Sequence, residues 1–150
     1  MSKEKSNDIR NESILTQDFG FRRQDDEKFS SGLLITGVTS FIGIHLLQEI
    51  HTKWPGPVYC LLRADSQKHA QLRIAACCEK WQLEKIDLSH IHLVIGNIRS
   101  SHWGLDDDTY FDIQKQVGTV VHLALNARYH LPFQFYKRDW LPDLENMILY

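Results

Sequence analysis

The sequence predicts an α/β fold: a parallel sheet of about four strands, with helices on both of its faces. Three observations carry that prediction. Short apolar runs of strand length alternate with stretches of helical spacing. The runs are rich in branched residues and lack polar alternation, as strands buried on both faces do. Turn-forming glycine and proline sit at the junctions. The chain has 150 residues, 43% hydrophobic and 24% charged, enough for one core.

The elements follow in order. Residues 1–31 are polar, with the cluster Arg22-Arg23-Gln24-Asp25-Asp26-Glu27-Lys28, and read as a solvated linker. Ile14, Leu15, Phe19 and Phe21 could pin part of it to the domain that occupies 32–150. Leu33-Leu34-Ile35-Thr36 is the first strand, ended by Gly37. A helix from Ile42 to His51 carries apolar residues at Ile42, Leu46, Leu47 and Ile50, and Trp54-Pro55-Gly56-Pro57 stops it. Val58-Tyr59-Cys60-Leu61-Leu62 is the second strand. Asp65 or Ser66 caps a helix reaching about Leu83, with Leu72, Ala75, Ala76 and Trp81 expected inside. Ile91 to Ile95 is the third strand, broken at Gly96. Asp106 to Gln116 is a helix with three acids at its positive end, and Thr119 to Ala124 is the fourth strand. From about Phe133 the chain reads as helical, interrupted at Pro142.

Composition narrows the function classes. A net charge of −2 gives no electrostatic case for nucleic acid or an anionic membrane as partner. No apolar run approaches the ~20 residues that span a bilayer, and MSKEKSNDIRNES is not a secretory signal. Three cysteines form neither a disulfide framework nor a zinc pattern, so a cytoplasmic location is expected. His90 and His92 share a strand face but lack a third ligand, so no metal is expected. Cys77-Cys78 and His122 read as packing residues, and Phe133, Phe135, Tyr136 and Trp140 as a packing face.

The chemistry concentrates in Thr36-Gly37-Val38-Thr39-Ser40-Phe41-Ile42-Gly43, between the first strand and the first helix. That is the context of a dinucleotide fingerprint. Gly37 permits a tight turn, a small residue at Ser40 lets the backbone approach a diphosphate, and Gly43 lets the helix pack against the sheet. The helix N-terminus supplies N–H groups and partial positive charge. Arg63 follows the second strand, where an acid would select NAD and an arginine selects NADP. Lys68 and Arg73 add positive potential. A glycine-punctuated turn without a ligand, and a plain surface arginine, are the bland readings of the same residues.

From residue 13 onward the chain resembles the thioester reductase family of extended short-chain dehydrogenase/reductases. It includes the reductase domains of nonribosomal peptide and polyketide synthetases, carboxylic acid reductases, and the fatty acyl-CoA reductases called male-sterility proteins. The resemblance rests on Ser13-Ile14-Leu15 through Phe21, on Leu33 to Leu47 with the T-G-x-T-G-F-x-G turn, and on Val58 to Ala64 against V-x-x-L-V-R-A. It continues through Val94-Ile95-Gly96-Asn97-Ile98, Leu105 to Tyr110, Val120-Val121-His122-Leu123-Ala124 and Leu131-Pro132-Phe133. It implies a Rossmann-like fold, truncated to about four strands in the order 3-2-1-4, and an NADP cofactor. The implied cofactor residues are Gly37, Thr39, Ser40, Phe41, Ile42 and Gly43 at the turn, Arg63 at the 2′-phosphate, Asn97 and Ile98 at the adenine, and Leu123 and Ala124 by the nicotinamide ribose, with Arg73 counted among the cofactor-binding residues for its positive charge. The implied partners are NADPH and an acyl thioester on a carrier protein or CoA, reduced to aldehyde or alcohol.

Several positions depart from the family pattern. Ser40 replaces the middle glycine, Asn97 replaces an aspartate, Trp140 falls on the family asparagine and Asp143-Leu144 on its Gly-Thr pair. The superfamily's chemistry needs a Tyr-x-x-x-Lys pair, in which lysine lowers the tyrosine pKa and holds the ribose. The residues four after Tyr59, Tyr110, Tyr129 and Tyr136 are Arg63, Gln114, Phe133 and Trp140, and Tyr150 is terminal. No catalytic residue is therefore assigned. The expectation is the cofactor-binding portion of such a reductase, a fragment or truncated product that binds without turnover and associates through an open sheet edge. A sugar-nucleotide epimerase relative is disfavoured by Arg63. A non-catalytic cofactor sensor, or a decayed remnant using the same turn, is the alternative.

Overall fold

A computed structural model of the chain describes residues 31–125, 134, 135, 138 and 144–147. The expected linker up to residue 30, its pinning residues, Phe133, Tyr136, Trp140, Pro142 and Asp143 lie outside them. Within them, β1 (Gly32–Thr36), β2 (Val58–Leu62), β3 (Ile91–Ile95) and β4 (Val117–His122) form one parallel sheet in the order β3-β2-β1-β4. The register pairs Leu33 with Val58, Val58 with Ile91, and Thr36 with His122. The helices are α1 (Phe41–Lys53), α2 (Gln67–Lys80) and α3 (Asp107–Gln116), and a tight turn at Ser101–Gly104 precedes α3.

Strand alternation divides the core between two faces. Leu33, Ile35, Val58, Cys60 and Leu62 pack with Ile44 and Leu47 of α1 and with Ala70, Ile74 and Cys78 of α2. Leu34, Tyr59, Leu61 and Val94 face the other way, against Trp103, Met147, and Tyr110 and Ile113 of α3. β1 and β2 are buried along their whole length, as their unbroken apolar runs require. Helices on opposite faces of a parallel sheet follow from crossovers of one hand.

Several expectations give way. The inner stripe of α2 is Ala70-Ile74-Cys78, spaced by four. Leu72 is 58% exposed, and Ala75, Ala76 and Trp81 also face solvent. The helix ends at Lys80, where Trp81 is the C-cap. Ile42, expected inside α1, is 64% exposed because Gly43, Ile44 and Leu47 form the buried side. α3 begins after Asp106, which caps it and leaves Asp107 and Asp108 in the first turn. β4 starts and stops two residues earlier than expected, and Gly118, Thr119 and Val120 are exposed. Phe135, expected to pack, is 41% exposed, with the Arg138 guanidinium 5.3 Å from its ring centre.

Candidate dinucleotide-binding site

Parallel strands leave a crevice beyond their carboxyl ends where the strand order reverses. Here β1 passes to β2 on one side and β4 joins it on the other, so the crevice opens over Gly37. Gly37 has φ +73, and an added Cβ would lie 2.5 Å from the Leu123 carbonyl carbon. Only glycine satisfies both the left-handed backbone and that approach to the end of β4. Gly43 is needed for a different reason from the one expected. Its Cβ would lie 2.2 Å from the Gly37 oxygen, so it lets α1 close onto the turn itself rather than onto the sheet.

Thr36, fully buried, locks the end of β4 in place. Its Oγ1 accepts from the Leu123 N–H at 3.2 Å and the Ala124 N–H at 3.3 Å. With its lone pairs so occupied, the hydroxyl donates its proton to His122 Nδ1 at 2.7 Å. His122 is therefore a structural partner of the turn, and a neutral ring carries its proton on Nε2.

Ser40 caps α1: its Oγ accepts from the Gly43 N–H at 3.1 Å. A hydroxyl that accepts still has its own proton to donate, and Ser40 faces the cleft. Thr39 is held from α2 by two groups one turn apart. Arg73 donates to its Oγ1 at 3.2 Å and the Cys77 thiol to its carbonyl at 3.4 Å. Arg73 also donates to the Arg63 carbonyl, so it ties the turn to the end of β2.

The resulting cleft has a volume of about 470 Å³, within the ~300–1,000 Å³ of small-molecule sites. Gly37, Ser40, Arg63, Arg73, Asn97, Ile98, Leu123 and Ala124 line it, eight of the twelve residues expected from sequence. Thr39, Phe41, Ile42 and Gly43 do not. Thr39 and Gly43 build the turn from behind, while Phe41 (55% exposed) stacks edge-on against Trp81 at 4.8 Å. Leu61, Leu62, Gly96, Arg99 and Leu125 complete the lining and were missed. Leu62 and Gly96 were legible as strand ends, whereas a single loop arginine such as Arg99 has no sequence signature.

Asn97 folds back on its own loop, its Oδ1 accepting from the Arg99 N–H at 3.2 Å. Asn146, also missed, braces the same loop by donating to the Ile98 carbonyl at 2.8 Å. Asp65 lies 3.0 Å from the His69 imidazole rather than facing the cleft. The lining residues thus include three arginines and no carboxylate. Among the described residues, no cluster of three or more metal-ligating side chains occurs, and His92 instead stacks on Tyr59 at 4.8 Å.

Comparison with known proteins decides the family. The model of an NAD-binding family described as male sterility protein matches residues 35–139. The chain belongs to that family. Male sterility family membership bears out the resemblance read from the fingerprint and the Arg63 strand. It also makes a nicotinamide dinucleotide the ligand class. The large subunit of L-2-aminoadipate reductase from Eremothecium gossypii is 28% identical over 106 residues, 67% of this chain and 8% of that protein. The isonitrile lipopeptide synthase of Streptomyces coeruleorubidus is 33% identical over 92 residues, 60% of this chain and 6% of that protein. The chain thus spans under a tenth of these relatives. Among solved structures, the terminal R domain of the myxalamid PKS-NRPS pathway superposes with a TM-score of 0.77 at 19% identity, over 96% of this chain and 37% of that one. The Rossmann-like fold is shared. Among the described residues no helix is long and apolar enough to cross a membrane.

A dinucleotide fits the residues present. The Gly37 turn would be filled by a Cβ, the lining is cationic without an acid, and the capped N-terminus of α1 opens onto it.

Proposed function

We propose that this chain is the NADP(H)-binding portion of a reductase that acts on acyl thioesters carried by a carrier protein or CoA. The diphosphate would rest over Gly37 and the N-terminus of α1, receiving backbone N–H groups and the Ser40 hydroxyl proton. Arg63 would take the 2′-phosphate: it is exposed, lines the cleft, and makes no hydrogen bond or ion pair through its guanidinium among the described residues. Asn97 and Ile98 would flank the adenine, and Leu123 and Ala124 the nicotinamide ribose, held there by Thr36. When bound, the nicotinamide supplies the hydride for the thioester carbonyl. No tyrosine of this sequence is followed four residues later by lysine, so the chain alone is expected to bind without turnover.

The observation that carries this reading is a glycine-built cradle sharing one cleft with Arg63 and no carboxylate. Fluorescence titration with NADPH and NADH tests it. NADPH should bind more tightly, by roughly tenfold or more, as expected for a charge-assisted phosphate contact. Binding of neither nucleotide defeats the proposal, and equal binding of both defeats the role of Arg63.

A further inference from the structure

We propose that Leu125 is a specificity-determining residue that makes the cleft favour the reduced cofactor, whose nicotinamide ring is neutral, over the oxidised one, whose ring is a cation. This deepens the NADP(H) reading and rests on it. β4 joins β1 on the side opposite β2. Adjacent strands lie about 5 Å apart, so the end of β4 is about 10 Å from the end of β2. A dinucleotide with its 2′-phosphate at Arg63 and its diphosphate over Gly37 carries its nicotinamide half onto the residues that follow β4. Leu123, Ala124 and Leu125 line the cleft there.

The backbone N–H groups of those residues are all engaged inside the protein. The Leu123 N–H bonds the Thr36 carbonyl at 3.1 Å and Thr36 Oγ1 at 3.2 Å, and the Ala124 N–H takes the same Oγ1 at 3.3 Å. The Leu125 N–H turns back to the Leu123 carbonyl at 2.9 Å. Gly37 lets that carbonyl sit against the phosphate turn, where a Cβ would lie 2.6 Å from its oxygen. The strip therefore offers a ligand no N–H donor and presents it with apolar side chains. Leu123 and Ala124 are half-buried, whereas Leu125 is 54% exposed. A lone exposed leucine on an open surface needs no explanation. This one is held by a tight turn in the wall of a ligand-sized cleft, at the end where the ring arrives.

Charge decides which ring such a wall prefers. The oxidised ring is a pyridinium with a single positive charge. Laying it on an apolar side chain strips water from the cation, which is unfavourable unless a partner replaces that water. The lining residues include no carboxylate to do so. Asp65, the acid nearest the end of β2 in sequence, is turned to His69. The reduced ring has no charge to desolvate and gains by covering Leu125. The residue thus holds the reduced cofactor more tightly than the oxidised one, the order that a hydride donor requires of its site.

The test is calorimetric titration of NADPH, NADP⁺ and 2′,5′-ADP, which has no nicotinamide, into the unaltered chain, Leu125→Ala, Leu125→Gln and Leu125→Met. Circular dichroism checks each for retained fold. The unaltered chain should bind NADPH roughly fourfold or more tighter than NADP⁺, the worth of one covered methylene. Leu125→Ala and Leu125→Gln should bring the two within about twofold, chiefly by weakening NADPH. Leu125→Met, similar in volume and apolar, should keep the preference. The affinity for 2′,5′-ADP should stay the same throughout. Equal binding of NADPH and NADP⁺ to the unaltered chain overturns the proposal, as does a preference that Leu125→Ala and Leu125→Gln leave unchanged. If 2′,5′-ADP weakens together with NADPH, Leu125 only shapes the end of β4, and the proposal is again overturned. In each of these cases, binding of 2′,5′-ADP to the unaltered chain leaves the cofactor reading intact. Failure of the unaltered chain to bind any of the three ligands removes that reading and this inference with it. Should Leu125→Ala lose its fold, Leu125→Gln decides alone: a narrowed preference supports the ring contact, and an unchanged one overturns it.

Discussion

Cys60 shows how burial alone sets the chemistry of a single group. It lies fully inside β2, and desolvation pushes its thiol from an ordinary 9.0 up to about 12. The folded state therefore keeps a proton that the unfolded state releases. The associated stability is complete below pH 9 and is lost as pH rises from 9 toward 12, by up to about 1.4 kcal/mol per pH unit. Burial raises Tyr59 and Tyr110 as well, and their contributions fade in the same direction above pH 10. We expect iodoacetamide at pH 8.5 to label the half-buried Cys77 in the native chain and to leave Cys60 untouched until unfolding. Replacing Cys60 with alanine should flatten the alkaline fall in denaturation midpoint. Native labelling of Cys60 as fast as Cys77 would show that the strand opens locally and that the shift is not expressed.

The helices divide sharply between what their sequences announce and what they conceal. All three begin at a residue whose side chain accepts an N–H of the first turn: Ser40, Ser66 and Asp106. These caps are legible because serine and aspartate just ahead of a helical run have a specific mechanical task. The buried stripe of α2 is not legible in the same way. Leu72 and the alanines outside it are as apolar as Ala70 and Cys78 within it, so local spacing cannot choose the face, and only the packing of β1 and β2 does. The three caps differ in one testable respect. Hydrogen bonds from the Thr109 N–H and hydroxyl hold the Asp106 carboxyl below its ordinary 3.8, so its contribution is present above that value and is lost as acid protonates it. Serine has no such transition. In an acid titration by NMR, the Thr109 amide shift should move with a midpoint below 3.8, while the Gly43 amide on Ser40 shows no step in that range. Ser66→Ala should cost about 1 kcal/mol at all pH values. A Thr109 amide that fails to titrate would remove Asp106 from the cap.

At the scale of the whole molecule, the sheet carries an imbalance that strand counting anticipated and burial makes concrete. Parallel direction and the crevice over Gly37 were legible because each follows from strand–helix alternation and one glycine turn, and the strand order came with the family resemblance. The tie from Arg73 to Thr39 and the Ser101–Gly104 turn were not, since contacts spanning 34 residues and a left-handed backbone at Trp103 leave no local pattern. Among the described residues no strand lies outside β4, whose Gly118, Thr119 and Val120 are exposed. An edge with unpaired N–H and carbonyl groups beside an apolar side chain is a template for pairing with another chain. Val120 is 37% exposed and interrupts no buried contact in either core cluster, so a charge there should blunt the edge without unfolding the sheet. We expect the unaltered chain to sediment with a concentration-dependent coefficient, and Val120→Lys to sediment as a monomer with similar circular dichroism. Because the cleft opens over Gly37 at the carboxyl ends of the strands, edge pairing along β4 should leave NADPH affinity equal in the two proteins. A monodisperse, cooperatively melting monomer for the unaltered chain would show that its edge is already covered.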